Sequence, residues 1–183
     1  MKEIHEYIAK ARQEKKDIDD WFQSAVVNNP ESAVELAKQR EQKIQRQIWS
    51  DFEEKRQIEY RQVREKKELF LKCKAGRPGA PFKSKKTDST SGEIKASKGM
   101  LNISSDNEVK VNSTNHGNHK VSVSKDLKTV SFKVSCTGPS WGTTTRGHGW
   151  HEATLYAYFK YSDETIKNQV NSELLELQRM INT

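Results

Sequence analysis

The sequence predicts an α+β protein: an N-terminal helical hairpin or coiled-coil arm, a flexible basic linker, and a C-terminal antiparallel β-sheet covered by a C-terminal helix. Three observations predict it. Apolar residues recur at three- and four-residue spacing in the first part of the chain, a Pro/Gly/Ser/Lys-rich stretch follows, and beyond Met100 the apolar period falls to two. The corresponding boundaries are 1–74 for the arm, 75–99 for the linker and 100–183 for the α+β domain.

In the arm, Ile4, Ile8, Ala11, Ile18, Trp21, Phe22, Ala25 and Val26 trace one helix face over residues 3–27. The break falls at Asn28-Asn29-Pro30, where Asn29 suits a cap and Pro30 a first helical position. A second helix is expected from Pro30 to about Lys74, roughly 66 Å at 1.5 Å per residue. A heptad begun at Val34 is apolar at only half of its core positions, which is too thin for a long two-stranded zipper. It suits a hairpin with the first helix, with Trp21, Phe22, Trp49 and Phe52 as its core. Residues 1–74 are therefore also a candidate surface for a protein partner or for self-association.

Composition limits what the rest can do. Leu, Ile, Val and Phe make up about 20% of the 183 residues, at the edge where disorder becomes favoured. No run of about 18 apolar residues is present, so no membrane span is expected. Met1 to Lys10 lacks the apolar stretch of a secretory signal, and Cys73 and Cys136 are too few for a disulfide scaffold. The expected location is cytoplasmic, with two reduced thiols. The net charge of +7 is concentrated. Residues 75–100 hold six basic and two acidic side chains, while the flanking segments are close to balance. Ala75-Gly76-Arg77-Pro78-Gly79-Ala80-Pro81 stops the helix, and the Lys/Ser/Thr/Gly residues after it read as a mobile tether.

In the domain, Val109 and Val111, Val121 and Val123, the run Val130–Cys136, and the run Ala153–Tyr161 alternate with polar or tyrosine residues. Lys125-Asp126-Leu127-Lys128 joins the second and third of these as a hairpin. Ser162 caps a final helix whose stripe is Ile166, Val170, Leu174, Leu177 and Ile181. That stripe is the expected cover of the sheet.

Four features are candidates for chemistry. The first is the loop Thr137–Trp150, long enough to suggest function. If it returns to the end of the sheet that it leaves, His116, His119, Cys136, His148, His151 and Glu152 converge. A hydrolytic site there would use His148 and His151 as acid and base, Arg146 as charge stabiliser and Glu152 as orienting carboxylate. A metal site would draw on His116, His119, His148 and His151. The plainer account, preferred on the sequence alone, is a solvated Gly-rich loop over packed tryptophans. The second is a polar sheet face carrying Lys120, Lys133, Tyr156, Tyr158 and Lys160, which suits base stacking and phosphate neutralisation. Its plainer account is ordinary strand-forming tyrosines. The third is the basic linker, with Arg77, Lys83, Lys85 and Lys86 as polyanion contacts. The fourth is the helical arm itself. The function expected is a nucleic-acid-associated binding protein with a helical interaction or oligomerisation arm. The rivals are an RNase-like or metal-dependent phosphodiesterase or toxin acting at the 137–152 loop, and a structural coiled-coil protein of a phage or secretion assembly. No motif identifies a cofactor or decides whether the chain is an enzyme.

Overall fold

The computed structural model describes residues 4–113, 117–141 and 148–182. The α+β class holds. The chain divides into two compact units, one formed by residues 1–63 with 163–183 and the other by residues 64–162.

The helical unit contains α1 (Ile4–Asn28), α2 (Ala33–Ile44), α3 (Asp51–Gln62) and α4 (Asp163–Asn182), with Gln45–Ser50 a π-helical turn between α2 and α3. The break at Asn28–Pro30 and the packing of α1 on α2 are as the sequence predicts. Ile8, Ala11, Ile18, Ile44, Ile48, Trp49, Phe52, Leu177 and Ile181 form its core. Arg56, buried in this unit, donates from Nε and Nη2 to Glu173 at 2.6 and 2.8 Å and from Nη1 to Glu59 at 2.6 Å. Its charge is therefore paired on both sides, the condition under which a buried cation is tolerated.

The β unit is two antiparallel sheets packed face to face. In one, the long central strand β7 (Gly149–Tyr161) pairs along one edge with β1 (Glu65–Ala75) and along the other with β3 (Met100–Asn102) and β4 (Glu108–Ser113). In the other, β6 (Thr129–Thr137) lies between β2 (Thr87–Lys95) and β5 (Gly117–Val123). The apolar alternates of β1, β6 and β7 meet between the sheets: Leu71, Val130, Phe132, Val134, Ala153, Leu155, Ala157 and Phe159 are all buried.

Three expectations change. Residues 65–75 are a strand, where the sequence reads as helix. Leu69, Leu71, Cys73 and Ala75 face inward with period two, but Glu65, Lys66, Lys67 and Glu68 before them and Lys72 and Lys74 between them are strong helix formers and hide that period. Residues 87–95 are an edge strand within the supposed tether, so the linker is shorter than expected. Most of its side chains are Ser, Thr and charged groups, which give no apolar pattern to read. Finally, the apolar face of each sheet is covered by the other sheet, whereas Leu177 and Ile181 of α4 join the helical core.

Glycines close one end of the β unit. A Cβ at Gly138 would overlap the Gly76 carbonyl, and one at Gly149 the Thr137 carbonyl. The neighbours are backbone and cannot rotate away. Gly138→Ala and Gly149→Ala are each expected to cost about 1–3 kcal/mol in urea denaturation. Gly79→Ala, with nothing within 4 Å of the new methyl group, is expected to leave the midpoint unchanged.

Candidate functional site

Strict alternation along β7 decides which side chains meet at that glycine-closed end. His151 is an inward residue and is 1% exposed. It stands opposite Cys73 on β1. Across the core its ring lies over Gly117, where any side chain would overlap it, and Gly117 in turn stands opposite Cys136. His119, two residues along β5, stacks on His151 with ring centroids 5.7 Å apart and planes 12° from parallel. The two strands that the long loop joins meet at this end, since Gly149 abuts Thr137.

Burial dominates the electrostatics. Among the described residues neither Nδ1 nor Nε2 of His151 has a hydrogen-bond partner. An unmade hydrogen bond of this kind costs roughly 1–3 kcal/mol. Desolvation, and secondarily the charge of His119, hold the His151 pKa below its usual value. The ring is therefore neutral at pH 7. The Cys73 thiol is pushed up to about 12, first by burial and then by its hydrogen bond with Cys136.

The expected catalytic constellation is only partly assembled. Arg146 and His116 lie outside the described residues. His148 is exposed beside Gly76. Glu152, next to His151 on the strand, points to the opposite face and pairs with Lys72 at 2.5 Å; neighbouring strand positions cannot share a site on one face. The imidazole that meets His151 is His119, not His148. Among the described residues no three His, Cys, Asp or Glu side chains form a metal-binding group. Stacked imidazoles hold their nitrogen lone pairs in nearly parallel planes, which does not aim both at one ion.

The expected Lys/Tyr face divides in two. Lys120 and Lys133 stand directly opposite each other on the outer side of the β2–β6–β5 sheet, bordering a shallow hollow of about 490 Å³ with Ser91, Ser122 and Ser131. Tyr156, Tyr158 and Lys160 lie on the outer side of the other sheet. There they join Lys66 and Phe70 of β1, where the sequence reads as helix, and Lys110 of β4. Lys66 lies 4.2 Å from the Tyr156 ring centroid and 5.9 Å from that of Tyr158, and Lys110 lies 5.3 Å from Tyr156. Phe70, on the same face, is 58% exposed. The period-two pattern of Leu69–Ala75 was the signal that would have found Lys66 and Phe70. Of the linker cations, Lys83, Lys85 and Lys86 are exposed and Arg77 is half-buried.

No protein-family model matches the chain, and no curated protein or solved structure is significantly similar to it.

The lowered His151 pKa fixes the sign of a pH dependence. Between the folded value and the usual value near 6.5 the unfolded chain binds more protons than the folded one, so stability rises with pH there. Among the described residues, the titratable groups of the same layer as His151 are His119, Cys73 and Cys136. Denaturation midpoints are expected to be level above pH 6.5 and to fall as pH drops below it toward the folded value. His151→Leu should remove most of that slope; a slope unaltered by the substitution would assign it to other groups.

Proposed function

We propose that the β unit binds single-stranded nucleic acid across the outer face of the β1–β7–β4 sheet. The supporting observation is the interleaving of aromatic and basic side chains on that face. Trp150, Tyr156 and Tyr158 are outward residues of β7, Phe70 is the exposed aromatic of β1, and Lys66, Lys74 and Lys110 stand on the flanking strands, with Lys72 beside them paired to Glu152. Aromatic faces stack bases without sequence preference, and lysines between them neutralise the phosphates. An antiparallel sheet holds such groups at fixed spacing, so they need little ordering on binding. Lys83, Lys85 and Lys86, exposed beyond the end of β1, add a sequence-independent electrostatic contribution.

The helical unit supplies the interaction arm in this reading. Val27 and Val34 are 81% and 74% exposed at the α1–α2 turn, so its tip offers apolar surface to a protein partner or a second copy.

Fluorescence anisotropy with a labelled single-stranded oligonucleotide tests the reading. Binding is expected at about 50 mM salt and should weaken linearly in log–log form as salt rises. Stacking is worth about 1–3 kcal/mol per base, so Phe70→Ala and Tyr156→Ala should each weaken binding roughly tenfold. Lys120→Ala and Lys133→Ala, on the opposite sheet, should have the smaller effect. Absence of binding at low salt, or binding indifferent to Phe70 and Tyr156, contradicts the proposal.

A further inference from the structure

Cys73 and Cys136 are both free and both 2% exposed, and the nucleic-acid reading uses neither. Backbone register sets their placement. Cys73 stands opposite His151 in one sheet, Cys136 opposite Gly117 in the other, and the His151 ring lies over Gly117. The four positions thus form one layer of the core, with one cysteine from each sheet. The two strands also converge here. Cα atoms of β1 and β6 come within 8 Å, against about 10 Å between sheets packed face to face. Two residues beyond each cysteine the backbones touch: a Cβ on Gly138 would lie 3.0 Å from the Ala75 carbonyl oxygen. Convergence of this kind suits a disulfide, whose Cα atoms sit about 4.4–6.8 Å apart.

We propose that Cys73 and Cys136 are an oxidative modification site that closes as a disulfide between the two sheets, with a low-molecular-weight disulfide as the oxidant. One cysteine loses its proton to solvent, and its thiolate attacks a sulfur of the oxidant. The oxidant's S–S bond breaks, and the first thiolate leaves and takes up a proton. The second cysteine then attacks the resulting mixed disulfide on the protein sulfur. The Cys73–Cys136 bond forms, and a second small thiol is released. Two protein thiols are oxidised, and one small disulfide is reduced to two thiols. Burial keeps the Cys73 thiol protonated, its pKa pushed up to about 12. Exchange in the folded unit is therefore slow, and the bond forms as the strands assemble. Once closed, it is shielded from attack by the same burial.

The test uses the full chain, unfolded in guanidinium chloride and refolded by dilution into oxidised glutathione, with a second sample refolded under reductant. Remaining thiols are alkylated in denaturant, and the intact mass is read. The expected product has lost the mass of two hydrogen atoms, carries no alkyl group or glutathione, keeps the circular dichroism of the reduced protein, and melts at a higher temperature. Cys73→Ser and Cys136→Ser should each leave one cysteine that is alkylated or glutathionylated. Wild-type chains that regain the native spectrum and still take two alkyl groups or two glutathiones would overturn the proposal. So would an oxidised chain that melts below the reduced one. The wild-type comparison decides even where a serine variant fails to fold.

Discussion

The alternation of β7 is the constraint on which the β unit depends. Over thirteen residues it sends Gly149, His151, Ala153, Leu155, Ala157 and Phe159 inward. Glu152, Tyr156, Tyr158 and Lys160 go outward. The strand is hydrogen-bonded along both edges, to β1 on one side and to β3 and β4 on the other. A slip of one residue would turn every side chain over, putting Tyr156 and Tyr158 into the core and Leu155 and Phe159 into water. Core, imidazole pair and outer aromatic face are consequences of one register.

That register imposes a local cost. His151 is carried into the core by the same alternation that buries Leu155 and Phe159, and its ring nitrogens are left without partners among the described residues. Full burial of a Leu or Phe side chain contributes about 1.5–3 kcal/mol, so the strand as a whole outweighs one unsatisfied ring. Gly117 leaves room for the ring, and His119 covers it from the open side. The desolvation that keeps the imidazole neutral also keeps the Cys73 thiol protonated. One buried layer of the unit thus holds the uncharged forms of His151 and Cys73.

Legibility in the sequence followed the strength of the local period. The hairpin across Lys125–Lys128, the strand through Ala153–Tyr161, the helix break at Pro30 and the amphipathic final helix were all readable, because each is set by neighbours close in the chain. The meeting of His119 with His151 was inferred from hairpin geometry and a loop that doubles back. Three things were not readable. Strand β1 is disguised by helix-forming Glu and Lys at its outward positions. Strand β2 has Ile94 as its one buried apolar residue, so it is specified by hydrogen bonds to β6 and not by its own pattern. The sorting of strands into two sheets is a long-range property. Alternation tells inward from outward on each strand but not which strands share a face, and for that reason Lys120 and Tyr156 read as neighbours. The partner of Cys73 was hidden for the same reason, since its strand was read as helix.

The most direct test is whether the two imidazoles that this register brings together touch in solution. In protein labelled only at histidine, a nuclear Overhauser cross peak is expected between ring protons of His119 and His151, assigned by its loss in His119→Ala. It should be present at pH 7.5 in the folded protein and absent in denaturant. A folded protein with assigned histidine rings and no such cross peak would contradict the placement of β7 against β5 across the core and the layer built on it.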